Sequence, residues 1–225
     1  FINCQPSPVV MAVSVESGIT NYSELDGQRI CPGSTGSSTT TIFQSLADGL
    51  GIEPDWRPAS GPDSLDAFSD RQNVGIGKSC SGNYDSLIVQ MNASHPTDIL
   101  SMTDEELNIL IDAFPMMSEW VIPAGSYDFV DHDVTTVSFY ASAVSSTAMD
   151  QQTGYEIFKA LNEGAGREYI NSAVPALENE DFIANTLADT EIPLHAGTVQ
   201  YMVEKGIEVP ESMIPPEYVP VSSDS

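Results

Sequence analysis

The sequence predicts an α/β fold with mainly parallel sheets. Short apolar, β-branched runs alternate with segments whose apolar residues recur at helical spacing. Glycines and capping residues fall at the boundaries of those segments. With 225 residues and a hydrophobic share of 41%, the chain is long and apolar enough to bury a sizeable core.

Residues 8–15 (PVVMAVSV) read as a buried strand, broken at Ser17 and Gly18. Residues 22–27 (YSELDG) form a short helical turn closed by Gly27. Gln28 to Cys31 is a second strand and runs into residues 32–40 (PGSTGSSTT). Ile42, Phe43, Leu46 and Leu50 then follow at helical spacing, and Gly49 and Gly51 end that helix. Trp56 to Pro62 is a loop, Ser64 to Phe68 a short helix, and residues 74–77 (VGIG) another buried strand. Residues 81–85 (SGNYD) lead into a helix carrying Leu87, Ile88 and Met91, and Ile99 with Leu100 forms a brief strand. Thr103 and Glu106 make a capping box for a helix through Phe114. Val134 to Val144 alternates like a strand. Gly154 to Glu163, residues 176–187, and Gly197 to Lys205 are helical, the last ended by Gly206. The segment 210–225 is an extended or disordered tail.

The charge is far from ordinary: 33 acidic against 7 basic residues, net −26. An acidic shell of this density keeps a chain soluble, and its self-repulsion is relieved by salt. A salt-adapted (halophilic) host and a simply acidic secreted protein both account for it. No basic stripe exists to neutralise phosphates, so no nucleic acid partner is expected. Cys4, Cys31 and Cys80 form no CxxC pair, and one disulfide or three free thiols are both compatible with their spacing. No apolar run reaches the ~20 residues that span a bilayer. The start, with no Met and no signal-peptide regions, reads as truncated or processed. Phe1 to Cys4 is weakly similar to the end of a lipoprotein signal, and an ordinary cysteine in a chain cut upstream is the better reading.

The strongest chemical signal is the loop Gly33, Ser34, Thr35, Gly36, Ser37, Ser38, Thr39, placed between a strand and a helix. Unpaired amides and the dipole at a helix start favour an anion. Its glycines permit close approach and its hydroxyls donate hydrogen bonds, so a carboxylate could be held without a basic side chain; a plain N-capped helix needs only one of those serines. Gly75 to Ser79 (GIGKS) imitates the end of a phosphate-binding loop, but Gln72 stands where the first glycine is required and the run lies in the strand, so it is set aside. No GxSxG elbow and no HExxH spacing occur, and no metal or cofactor is expected. His132, between Asp131 and Asp133, reads as a solvated turn; His195 reads as a surface or capping residue.

Residues 23–30 (SELDGQRI) followed by 33–39 (GSTGSST) resemble the "DLKGKRV…GxxGSGT" segment of TAXI-type solute receptors of TRAP transporters. Residues 122–127 (IPAGSY) are similar to that family's "IPAGTY", and 192–201 (IPLHAGTVQY) with 204–207 (EKGI) to its "IPLHPGAxRYYxEKGI". The matches run in order over nearly the whole chain. The resemblance implies a type II periplasmic-binding-protein fold, two α/β lobes closing on a small carboxylate. It places Gly33 to Thr39 in the anion-holding loop, Ser81, Gly82, Asn83 and Tyr84 in a second cleft segment, and Tyr127 near the cleft. Ser38 stands where the family has a glycine, and Tyr84 and Asp85 where it has Pro-Asn, which puts the ligand preference in doubt. The family's upstream portion, with an export signal and a first glycine-rich ligand loop, has no counterpart in these residues. One complete lobe over 13–130 is therefore expected, with 1–12 and 131–209 forming part of a second lobe and the hinge.

The resulting expectation is an extracytoplasmic receptor, periplasmic or at the cell surface, that captures a small organic anion for a TRAP-type membrane permease. It is not expected to be an enzyme. Two alternatives stand beside it: an enzyme on the same scaffold, for which Asp85 is the one acid–base candidate in the cleft segments, and a sensing module without transport.

Overall fold

The computed structural model describes residues 1–188 and 192–220. Among the described residues seven strands form one open sheet: β1 (Ile2–Ser14), β2 (Arg29–Cys31), β3 (Asp55–Trp56), β4 (Gly75–Ser79), β5 (Thr97–Ile99), β6 (Ser118–Ile122) and β7 (Val134–Ala143). Their order is β3-β2-β4-β1-β7-β6, with β5 also paired to β1. The chain is α/β, as its sequence predicts, but the expected mainly parallel pairing does not hold. β2 lies parallel to β3 and β4, whereas β1 runs antiparallel to β4 and β5, and β6 antiparallel to β7. Alternating strands and helices announce parallel neighbours only where a helical crossover joins them.

The chain divides into two compact units, Ser7–Phe139 and Phe1–Pro6 with Tyr140–Ser225, and passes from one to the other within β1 and near the middle of β7. In the first unit, β1 supplies two cores at once. Val9, Met11 and Val13 belong to one buried cluster, and Val10 and Ala12 to another. Successive side chains of a strand point to opposite faces, so a strand buried on both sides reads as a continuous apolar run. One face carries α1 (Ser38–Leu50) and α4 (Asp104–Ala113), through Ile42, Phe43, Leu46, Leu107 and Leu110. Phe68 of α2 (Gly61–Ser69) and Ile88 and Met91 of α3 (Ser86–Ser94) pack in the other cluster.

The caps fall where the sequence puts them. Gly51 closes α1 with φ 68°, a left-handed turn that favours glycine. Thr103 and Glu106 form the complete capping box of α4. Gly77 has a different purpose: a Cβ there would collide with the Phe43 ring. The glycine in GIGKS thus seats α1 against β4.

The second unit carries α5 (Gln151–Asn162), α6 (Gly164–Ala173), α7 (Phe182–Ala188) and α8 (Ala196–Glu204) around Ile2, Phe158, Phe182, Leu194, Val199 and Met202. The helix expected over 176–187 is instead a 3-10 turn at Pro175–Leu177 and the later α7. His195 is the N-cap of α8: its Nδ1 accepts from the Gly197 amide at 3.1 Å, and the residue is buried, so the capping role holds and the surface placement does not. Of the tail, residues up to 220 are described and include a 3-10 turn at Glu211–Met213; the rest lies outside the described residues. Among the described residues no helix is long and apolar enough to cross a membrane.

Candidate functional site

β2 and β4 are parallel neighbours, with Ile30 opposite Gly75 and Cys31 opposite Ile76. Their C-terminal ends therefore emerge together, and the loop 33–37 leaves one while residues 80–85 leave the other. In open α/β sheets this edge is where ligands bind.

The first loop folds back on itself and opens at the helix start. Gly33 (φ 119°) and Gly36 (φ 74°) take backbone angles that favour glycine, and a Cβ on Gly33 would stand 3.0 Å from the Ser37 hydroxyl. The Ser34 carbonyl accepts from the Ser37 amide at 3.0 Å and from the Thr40 hydroxyl at 2.8 Å. Ser37 caps α1 by accepting from the Thr40 amide at 3.2 Å. The next amides, of Ser38 and Thr39, have no protein partner among the described residues. Two donors at a dipole's positive end are thus left unpaired.

Beside them is a cavity of about 130 Å³. Gly33, Ser34, Ser37 and Thr39 line it from the loop side, and Lys78 and Ser79 from β4. Thr39 and Ser79 hydroxyls bond at 2.9 Å, which ties the start of α1 to the end of β4. The loop after β3 closes the cavity through Ala59. Its amide donates to the Gly33 carbonyl at 3.1 Å and its carbonyl accepts from the Ser34 hydroxyl at 3.2 Å. Lys78 brings a basic side chain to the lining, where the sequence suggested neutral donors alone. Its side chain is about one-third exposed, and its ammonium stands 3.5 Å from Asp85. Asp85 is fixed by its other oxygen, which accepts from the Leu87 amide at 2.8 Å and caps α3.

Thr35, Gly36 and Ser38 are exposed and lie outside the lining. Ser81, Gly82, Asn83 and Tyr84 do not line this cavity either, and neither does Tyr127. Those residues are held elsewhere. Asn83 accepts from the Trp120 indole at 2.7 Å, and Tyr84 is exposed and stacked on Tyr127, 5.4 Å between ring centres. Tyr127 is buried and its hydroxyl accepts from the Asp85 amide at 2.8 Å. Burial, helped by the neighbouring Cys80 and Asp85 charges, pushes the Tyr127 phenol well above its ordinary range. The Cys80 thiol is pushed up to about 12, by burial first and then by Asp85. At neutral pH it is a protonated thiol and no nucleophile.

Sequence reasoning missed Lys78 and Ser79. The signal was present in GIGKS, but only the β2–β4 pairing reveals that this strand end lies against the hydroxyl loop. All three cysteines are free thiols. His132 is partly exposed between Asp131 and Asp98, at 3.6 and 3.8 Å. Among the described residues no group of three or more His, Cys, Asp or Glu could hold a metal ion.

A model of the NMT1-like family matches residues 2–206. The chain belongs to the NMT1-like family. This NMT1-like protein is also similar to a periplasmic binding protein of an ABC transporter from Brucella ovis with glutathione bound, at 10% identity and TM-score 0.39, over 92% of this chain and 54% of that one. A second likeness is to the effector binding domain of QuiR in complex with shikimate, at 12% identity and TM-score 0.35, over 66% and 58%. A third is to a chain from work on glutathione import via GshT and the cystine ABC importer TcyBC of Streptococcus mutans, at 14% identity and TM-score 0.36, over 45% and 43%. The NMT1-like chain thus spans about half the length of these solved structures. No curated protein matches its sequence.

Proposed function

We propose that this NMT1-like protein is the ligand-binding part of an extracytoplasmic solute receptor of type II periplasmic-binding-protein architecture, and that it captures a small organic anion for a TRAP-type permease. The cavity at the start of α1 carries the reading: Ser34, Ser37, Thr39, Ser79 and Lys78 line it, and the unpaired Ser38 and Thr39 amides lie at the same helix start. Neutral donors around one cation suit a carboxylate better than a neutral solute. The TAXI-like motifs, including the loop itself, support the permease class. Size narrows the ligand: an apolar cavity of about 150 Å³ accommodates benzene, so one of about 130 Å³ takes a carboxylate group with few further atoms.

In this proposal the Ser7–Phe139 unit contains the complete lobe over 13–130. Of the residues 1–12 and 131–209 expected as second lobe and hinge, 1–6 and 140–209 fall in the other unit and would form that lobe, and 7–12 and 131–139 lie in the first unit. Residues 81–84 frame the site through Asp85, which holds Lys78. The acidic surface reflects a salt-adapted host. Closure is then a population shift driven by the ligand's higher affinity for the closed form.

Calorimetric titration with acetate, pyruvate, succinate and glutamate tests the reading. At least one should bind, and Lys78→Met should weaken it about 10- to 100-fold, the loss of one charge-assisted hydrogen bond. Absence of binding for every acid, or full affinity in Lys78→Met, would count decisively against it.

A further inference from the structure

A second concave face of the Ser7–Phe139 unit has a composition at odds with the rest of the chain. It is a cavity of about 670 Å³, within the range of small-molecule sites, flanked by the start of β2, the end of β3 and α2. Arg29 and Arg57 both line it, although the chain has only 7 basic residues against 33 acidic ones. Arg71 adds its carbonyl, which accepts from the Arg29 guanidinium at 3.3 Å. Among the described residues Arg29 has no carboxylate within ion-pair distance. Arg29 is exposed, so its guanidinium is open to an anion from solution. Arg57 is paired with Asp55 at 2.7 Å, but both side chains are largely exposed, and such pairs exchange readily for a competing anion.

Two further lining residues narrow the ligand. Trp56, half-buried with its body against the core, offers an indole to the same space. A planar anion can stack on the ring while a guanidinium fork takes its carboxylate. Asn73 is buried, lines the cavity, and has an Oδ1 with no hydrogen-bond partner. Unmet buried acceptors are rare in native folds, and a ligand donor at this face is one way to satisfy it.

We infer that this face is a second ligand site, taking a planar organic acid that also carries a hydrogen-bond donor, with Arg29 and Arg57 on the carboxylate, Trp56 under the ring and Asn73 on the donor. It shares only Ala59 with the cavity at α1 and stands independently of the function proposed there.

The test uses the whole chain, 4-hydroxybenzoate as probe, and the two tryptophan indole N–H signals in nitrogen-15 NMR, assigned with Trp120→Phe. The Trp56 signal should shift saturably. Arg29→Gln should weaken binding about tenfold or more, and Arg29→Lys, which keeps charge without the fork, should fall between. Benzamide, which lacks the charge, should bind more weakly than 4-hydroxybenzoate. Lys78→Met, which disables the other cavity, should leave the Trp56 titration unchanged. An unmoved Trp56 signal, an Arg29→Gln variant of native melting temperature with unaltered affinity, or equal sensitivity to Lys78→Met would each overturn the inference.

Discussion

The loops after β2 and β4 leave the same edge of the sheet and lead into helices of similar start, yet they are used differently. Residues 33–37 bond mainly among themselves, with Ser37 as cap, and leave the Ser38 and Thr39 amides open beside a cavity. Residues 80–85 are fastened from outside: Trp120 holds Asn83, Tyr127 holds Asp85, and Asp85 caps α3. What separates the two is how their residues are held: by one another in the first loop, by Trp120 and Tyr127 in the second.

Breaking the fastened loop should have the largest effect. Tyr127→Ala removes a buried ring and the acceptor for the Asp85 amide, and should cost about 3–5 kcal/mol in chemical denaturation. The anion affinity at α1 should fall far less than in Lys78→Met, because Tyr127 does not line that cavity. Alkaline titration probes the same region. Cys80 has a folded pKa of about 12, above its ordinary 9, and the Tyr127 phenol is shifted the same way. The stability tied to their neutral forms is whole below pH 9 and is lost as pH rises through the folded values, with a slope of about 1.4 kcal/mol per pH unit for one proton. Cys80→Ala should flatten that slope when unfolding is followed from pH 8 to 11. Last, Ser37→Ala removes the cap of the open loop. A loss of about 1 kcal/mol is expected in thermal denaturation, accompanied by weaker anion binding, whereas the same change at exposed Thr35 should alter neither.

The elements legible in the sequence were those whose signal is local. The capping box at Thr103, the Gly51 stop and the two-faced apolar run of β1 each follow from a few neighbouring residues. β6 was not legible, since most of it is exposed and it carries no apolar alternation. α6 buries none of its residues and begins among glycines, so it has no core-facing stripe to reveal it. The strand–loop–helix order around residues 33–37 was legible, as β2 and α1 flank them. Lys78 escaped because its meaning depends on which strand lies next to β2, and nothing within GIGKS states that β2 and β4 are neighbours. Residues 81–84 entered through the family resemblance, as a second cleft segment; they lie outside the lining of the α1 cavity, with Asn83 and Asp85 held by Trp120 and Tyr127.

Backbone amide NMR during titration with an organic acid that binds calorimetrically probes the α1 cavity most directly. The donors at the first turn of α1 should report the anion: the Ser38 and Thr39 resonances move and saturate, while those of Ser81 to Tyr84 shift little. Saturable movement confined to the latter segment, with Ser38 and Thr39 unchanged, would contradict the account.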